Sequence, residues 1–142
     1  MADISFYILP TQSQQERTLF ACKLIEKAYR SGCFCYVLTD SLEQSQRLDN
    51  LLWTFRAGCF IPHQLYTGET PVIEQVLIGS LPAPANWQKT VINLSSHCTE
   101  AERVLEILDN SEATKSVGRE RYRHYKQAGH ELTTQNISLM TL

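Results

Sequence analysis

The chain has 142 residues, a formal net charge of −2 and 43% hydrophobic residues, which suits one globular domain with a core. No run approaches the roughly 18 apolar residues that a membrane-spanning helix needs. The first residues lack the basic and small-residue features of a signal peptide, so we expect a cytoplasmic protein without a membrane partner. Five cysteines are an odd number on a chain without a secretion signal, which argues against a disulfide framework.

The first half of the chain predicts alternating strands and helices. Residues 4–9 and 33–38 are apolar and rich in β-forming residues, as buried strands are. Between them, Ser13 followed three residues later by Glu16 is typical of a helix N-terminus, and Gly32 is a natural helix stop. We therefore expect a strand, a helix and a second strand joined by short loops.

A second helix is expected directly after the second strand. Asp40 with Glu43 gives its start, and its apolar face consists of Leu48, Leu51, Leu52 and Phe55. Strands and helices that alternate through short loops are typical of a largely parallel sheet covered by helices on both faces. The sequence therefore predicts an α/β fold, a single domain built on such a central sheet.

The second half of the chain is less regular. Residues 56–71 contain two Gly and two Pro and are predicted to be a loop, and residues 72–79 are a weak strand. Residues 81–89 are Pro-rich and predict a surface connection. Residues 90–95 are a third good strand, and the apolar spacing of residues 99–108 predicts a helix.

A strongly basic helix is predicted near the C-terminus. Residues 109–113 interrupt the preceding helix, and residues 115–126 carry five Lys/Arg against one Glu. The other residues hold eight basic and fourteen acidic side chains. We place the domain at residues 1–132 and interpret residues 133–142 as a C-terminal tail.

The sequence shows no motif that would bind a cofactor and no group of residues with the spacing of metal ligands. The turn at residues 10–16 has no glycine, so a phosphate loop is missing where a nucleotide-binding fold would carry one. Cys33 and Cys35 are a poor version of the paired spacing that zinc requires. We interpret the cysteines as reduced residues that pack as small hydrophobic side chains, and we expect no cofactor and no metal.

One side of the basic helix collects most of its charge. At about 100° per residue, four cations and one aromatic residue share a stripe roughly 100° wide. Arg121 falls on the opposite, core side, so we predict that it is partly buried and paired with a carboxylate. We call the four cations the basic stripe; with the tyrosine, the set is Lys115, Arg119, Tyr122, Arg123 and Lys126.

Three functional hypotheses fit this helix. It could bind a short acidic peptide, it could act as a nucleic-acid-binding module through residues 115–126, or it could belong to an enzyme of unknown type on an α/β fold. The negative charge of the other residues opposes a long polyanion, which favours the peptide. The enzyme ranks last, because the sequence offers no candidate catalytic set.

An aromatic pair marks a second candidate surface. Trp53 is adjacent to Leu52 of the apolar helix face, so the two side chains point about 100° apart. Phe60 follows in a loop that contains Gly and Pro. Trp53 could close the core, but an aromatic residue off the core line beside a second one suits an interface hot spot.

Two stretches resemble the chi subunit of bacterial DNA polymerase III holoenzyme. They are RLDNLLWTFRAGCFIPH at 47–63 and RERYRHYKQAG at 119–129, and FYIL at 6–9 and AYRSG at 28–32 fit the same pattern. The resemblance implies a mononucleotide-binding-like α/β fold without a phosphate loop. It also implies a non-enzymatic replisome adaptor.

The resemblance further implies partners and site residues. Chi pairs with the psi subunit, which tethers it to the clamp loader, and binds the acidic C-terminal tail of single-stranded-DNA-binding protein, which ends in Pro-Phe; tight direct binding of DNA is not expected. Trp53 and Phe60 match the aromatic residues that face psi. The residues that match the tail-binding cluster and its apolar pocket are Leu108, Lys115, Arg119, Tyr122 and Arg123.

Overall fold

Seven parallel strands form one open sheet in a computed structural model that describes residues 2–55 and 60–138. The strands are β1 (Asp3–Ile8), β2 (Tyr36–Leu38), β3 (His63–Leu65), β4 (Val76–Gly79), β5 (Thr90–Asn93), β6 (Arg103–Leu108) and β7 (Glu131–Asn136). The helices are α1 (Gln14–Arg30), α2 (Leu42–Thr54) and α3 (Glu112–Gln127), with a 3₁₀ turn at Ala85–Trp87. The strand order is β3-β4-β2-β5-β6-β1-β7, so β3 and β7 are the two edges.

The helices cover both faces of the sheet, which confirms the predicted α/β fold. On one face, Ile25 of α1 and Leu48 of α2 pack in the same core cluster as Val37 and Ile92 of the sheet. On the other face, Tyr125 of α3 joins a cluster with β1 and β6 side chains. The 3₁₀ turn covers the rest of that face, because its Trp87 is buried against the sheet side chains Tyr36, Leu77 and Val91.

Polar side chains set the first two helix starts. The Ser13 hydroxyl accepts a hydrogen bond from the Glu16 N–H at 3.3 Å, as predicted. The predicted start of α2 at Asp40 is wrong by one residue, because the hydroxyl of Ser41 caps this helix and accepts from the Gln44 N–H at 3.1 Å. Asp40 instead accepts hydrogen bonds from the backbone N–H of Ser96.

The predicted helix over residues 99–108 is wrong, because residues 103–108 form strand β6. This strand lies between β5 and β1, and five of its six residues are buried. A central strand of a parallel sheet is covered on both faces, so its sequence lacks the polar alternation of a half-exposed strand. Glu106 is the one charged residue among the buried residues 104–108, and its position resembled the polar side of a helix.

The regions on either side of β4 also differ from the prediction. The predicted loop at 56–71 contains β3, an edge strand of three residues that is too short to show a period; residues 56–59 lie outside the described residues. Of the weak strand predicted at 72–79, only residues 76–79 are a strand. The predicted surface connection at 81–89 contains the buried Trp87.

The C-terminal boundary predicted at residue 132 falls inside β7. This strand pairs with β1 along its full length, and Thr134 lies opposite Phe6. Residues 133–136 therefore belong to the sheet. The strand is polar and mostly exposed because it has a neighbour on one side only, and such a segment has no apolar pattern that identifies it in the sequence.

A buried ion pair joins α3 to β6. Arg121 is 5% exposed, and its Nε and Nη2 atoms each lie 3.1 Å from Oε1 of the fully buried Glu106. Asn93 and Tyr125 each donate a hydrogen bond of 2.8 Å to the other carboxylate oxygen. Burial raises the pKa of Glu106, and the charge of Arg121 with these hydrogen bonds opposes that rise. The prediction that Arg121 is buried against a carboxylate is confirmed.

We expect Arg121→Ala to lower the free energy of unfolding by about 3–5 kcal/mol, because it leaves an uncompensated charge in the interior. Urea unfolding monitored by circular dichroism measures this change. Arg123→Ala is the matched control, since Arg123 is exposed on the same helix, and it should leave the midpoint nearly unchanged. The double variant Glu106→Gln/Arg121→Met removes both charges and should recover part of the loss; equal midpoints for Arg121→Ala and the wild type would contradict the assignment.

Candidate functional site

A groove with an apolar floor and a cationic rim lies between α3 and the sheet. We call it the α3 groove; its volume is about 230 Å³. The floor comes from alternate residues of β1 and β6, which point toward α3, and the rim comes from α3 and β7. The lining residues are Phe6, Ile8, Leu108, Lys115, Gly118, Arg119, Tyr122 and Thr134.

A glycine in the middle of α3 lets the helix approach the groove floor. A Cβ atom placed on Gly118 would lie 2.5 Å from Cδ1 of Leu108, which is shorter than a real carbon–carbon contact. Glycine in a helix interior costs about 1 kcal/mol relative to alanine. The close packing of α3 on the Leu108 side chain gives this glycine its structural role.

The rim carries two cations, the half-buried Lys115 and the exposed Arg119. Lys115 and Arg119 line the groove, and the Arg119 side chain is 62% exposed. Its Nη2 atom lies 3.8 Å from a carboxylate oxygen of the exposed Glu112. Such a surface ion pair contributes little, so the Arg119 guanidinium can exchange this partner for an anionic ligand.

Tyr122 forms an aromatic wall of the groove. Its ring centroid lies 5.4 Å from that of Phe6, and the side chain is partly buried. Five residues were matched to the cluster that binds the acidic tail of single-stranded-DNA-binding protein. Four of them line this one groove, namely Leu108, Lys115, Arg119 and Tyr122. Arg123 is exposed on α3 but is not among the lining residues.

Sequence reasoning missed four lining residues. Alternation within residues 4–9 places Phe6 and Ile8 on one face of a strand, but it does not reveal which face meets α3. Gly118 carries a signal, because a glycine in the middle of a predicted helix needs a packing reason. Thr134 lies in the segment that was predicted to be a tail.

A second exposed surface, which we call the aromatic patch, consists of Trp53 and Phe60. Trp53 at the end of α2 is 50% exposed, Phe60 is 64% exposed, and their ring centroids are 5.5 Å apart. The ring of the buried His63 lies 4.4 Å behind Trp53. The Nδ1 atom of His63 is 2.6 Å from the carbonyl oxygen of Ile61, which fixes the ring that supports Trp53.

The two surfaces lie at opposite edges of the sheet. The aromatic patch adjoins β3, because Phe60 precedes that strand by three residues. The α3 groove adjoins β7 through Thr134. Since β3 and β7 are the two ends of the strand order, the two surfaces are separated by the five inner strands.

Two of the described cysteines lie in the core. Cys22 and Cys35 are buried, and burial raises the pKa of each thiol to about 12, so both stay protonated. Cys59 lies outside the described residues. Across residues 2–55 and 60–138, no three His, Cys, Asp or Glu side chains are grouped so as to hold a metal ion. None of the described helices is long and apolar enough to cross a membrane.

The fold and these surfaces define a small open-sheet α/β protein with a cationic groove and an aromatic patch at opposite edges. The family model described as "DNA polymerase III chi subunit, HolC" matches residues 1–133. The chain belongs to this chi subunit family. Its members are accessory subunits of the DNA polymerase III holoenzyme, which acts in DNA replication. The resemblance seen in the sequence is therefore confirmed.

Curated relatives support this assignment, and a solved structure shares the fold. The chain is 32% identical to the DNA polymerase III subunit chi of Pseudomonas aeruginosa over 141 residues, covering 96% of this chain and 98% of that protein. It is 26% identical to the Escherichia coli chi subunit, covering 94% and 97% of the two chains. A crystal structure of T4 UvsW superposes with a TM-score of 0.61 at 12% identity, covering 95% of this chain and 41% of that one, which shows a shared fold.

Proposed function

We propose that this chi-family chain is a non-catalytic replisome adaptor. In this proposal the aromatic patch pairs with the psi subunit, which connects the chain to the clamp loader. The α3 groove binds the acidic C-terminal tail of single-stranded-DNA-binding protein. The chain would then link the clamp loader to coated single-stranded DNA. The observation that carries the proposal is the α3 groove, in which an apolar floor and a cationic rim meet in one cavity.

The size of the α3 groove supports a single side chain as its occupant. Its volume of about 230 Å³ lies below the ~300–1,000 Å³ of typical small-molecule sites. Phe6 and Leu108 offer apolar contact to an aromatic ring, and Arg119 at the rim can take a terminal carboxylate through two parallel hydrogen bonds. A C-terminal phenylalanine supplies both groups at once.

The charge around the groove favours a short acidic peptide over nucleic acid. Glu112 lies beside Arg119, and Glu120 is exposed on the same helix. A long polyanion would pass these carboxylates and the net negative remainder of the chain, whereas a peptide that ends at Arg119 meets mainly the basic stripe. This favours the adaptor over the nucleic-acid-binding module.

Exposure supports an interface at the aromatic patch. Trp53 and Phe60 together present two large rings to solvent beside a short edge strand. Aromatic residues of this kind dominate the binding energy of protein interfaces when a partner excludes water from them. His63 behind Trp53 limits the freedom of that ring, so less side-chain entropy is lost on binding.

We expect Phe60→Ala to weaken psi binding by about 2 kcal/mol or more, because it removes an aromatic hot spot. Isothermal titration with purified psi measures the change. Leu42→Ala is the matched control, since Leu42 is also on the α2 side of the molecule and 55% exposed, and it should bind psi as the wild type does. Circular dichroism should show both variants folded; an unfolded Phe60→Ala variant would identify Phe60 as a core residue and refute the interface.

We expect Arg119→Ala to cost about 1.5–3 kcal/mol of binding to an acidic peptide that ends in Pro-Phe, the range for hydrogen bonds to charged groups. Deleting the terminal phenylalanine of the peptide should cost a similar ~2 kcal/mol, because the groove floor then loses its apolar ligand. Added salt should weaken binding, since exposed charges are screened over about 10 Å at 0.1 M. Fluorescence anisotropy with a labelled peptide measures all three effects.

The control for that titration is Arg47→Ala, which removes an exposed arginine from α2 and should leave peptide affinity unchanged. Single-stranded DNA at the same ionic strength is the competing ligand. Tight binding of DNA together with no binding of the peptide would make the basic stripe a nucleic-acid surface and overturn the proposal for the α3 groove.

A further inference from the structure

The outer edge of β7 lies beside the α3 groove. Strand β7 has six residues and pairs with β1 on its inner side. Within residues 2–55 and 60–138, no strand pairs with its outer side, and five of its six residues are exposed. A strand in this position presents a row of backbone donors and acceptors that another chain can pair with.

The hydrogen-bond pattern identifies which backbone groups face outward. The N–H of Glu131 donates to the Ala2 carbonyl at 3.0 Å, and the N–H of Ile137 donates to the Ile8 carbonyl at 2.9 Å. The register between the two strands is continuous, so the odd-numbered residues of this segment face β1. The N–H and C=O groups that point away from the sheet are therefore those of Leu132, Thr134 and Asn136.

Thr134 belongs to both features. Its side chain lines the α3 groove, opposite Phe6 on the neighbouring strand, and its backbone faces the outer edge. If an extended peptide places its last side chain in the groove, the residues before it run alongside the outer edge of β7. Lys115 and Arg119 line the same cavity, so an acidic chain there also meets the cations of the rim.

The β7 edge also lacks the sequence and structural features that usually prevent an edge strand from pairing with another chain. Proteins protect exposed edges with proline, lysine, bulges or very short strands. Strand β7 is ELTTQN, with no proline, no lysine and a single charge at Glu131, and its register with β1 has no bulge. The opposite edge, β3, has only three residues and offers much less backbone.

We propose that the acidic peptide bound in the α3 groove adds to the sheet as an eighth strand along β7. The terminal aromatic side chain occupies the groove, and the preceding residues form backbone hydrogen bonds with Thr134 and its outward-facing neighbours. This inference rests on the proposed function of the groove. A proline next to the last residue fits it, because alternate residues of the added strand face away from β7 and need no N–H there.

Backbone methylation of the peptide tests the added strand. With the proline facing outward, the N–H of the third residue from the peptide's C-terminus faces β7 and that of the fourth faces solvent. Methylating the nitrogen of the third residue should weaken binding about tenfold or more, because it removes a hydrogen bond and adds a methyl group at the contact. Methylating the fourth adds the same bulk and should change affinity less than about twofold.

Amide hydrogen exchange of the full chain gives a second measurement. On binding the unmodified peptide, exchange at Thr134 and at least one of Leu132 and Asn136 should slow about tenfold or more. The amides of Thr133 and Gln135 already pair with β1, and they should change little.

The outcomes separate the two proposals. If Arg119→Ala weakens peptide binding but both methylated peptides bind alike, or no outward amide of β7 is protected, the added strand is wrong and the proposed function of the groove stands. If the unmodified peptide does not bind, both proposals fail. Protection of the Thr134 amide that rises with protein concentration in the absence of peptide would mean that the edge pairs with a second copy of this chain, which also overturns the inference.

Discussion

The buried ion pair between Arg121 and Glu106 determines how α3 presents its charges. Arg119 and Arg123 are each two residues from Arg121, so each points about 200° away from it around the helix. Once Arg121 turns inward to Glu106, both neighbours must face solvent. An apolar contact is non-directional, whereas the hydrogen bond from Arg121 Nε to Glu106, together with the ion-pair contact of Nη2 to the same oxygen, is directional and constrains the rotation of the helix. The basic stripe is therefore a consequence of a contact in the core.

The α3 groove depends on a second packing constraint on the same helix. Gly118 lies three residues before Arg121, and the absence of a side chain there lets α3 descend onto Leu108. The ion pair constrains the rotation of α3, and the missing side chain at Gly118 leaves room for Leu108 of β6 beneath the helix. Lys115, Arg119 and Tyr122 then surround a floor that belongs to the sheet. Apolar floor and cationic rim thus come from different elements, and only tertiary packing brings them together.

Features that depend on neighbouring residues could be predicted from the sequence, whereas features that depend on tertiary packing could not. The sequence predicts that Arg121 faces the core and that the basic stripe faces away from it. This was possible because the fixed rotation of about 100° per residue relates side chains only a few positions apart. Strand β6 was mistaken for a helix, since burial on both faces removed its alternation and Glu106 has its partner fifteen residues away. Strand β7 was missed because its pairing with β1 joins residues more than 120 positions apart, and no local pattern records it.

The edges of the sheet carry both candidate surfaces for a physical reason. Among the strands that the structure describes, the five inner ones have a neighbour on both sides, so only β3 and β7 have unpaired backbone groups along one edge. Six strand spacings of about 4.8 Å separate these edges by roughly 29 Å. Charges on a peptide at the α3 groove are screened within about 8–10 Å and do not reach the aromatic patch. Under the proposed function, binding at one edge would therefore leave affinity at the other unchanged unless the sheet itself deforms, and a sheet packed on both faces resists that deformation.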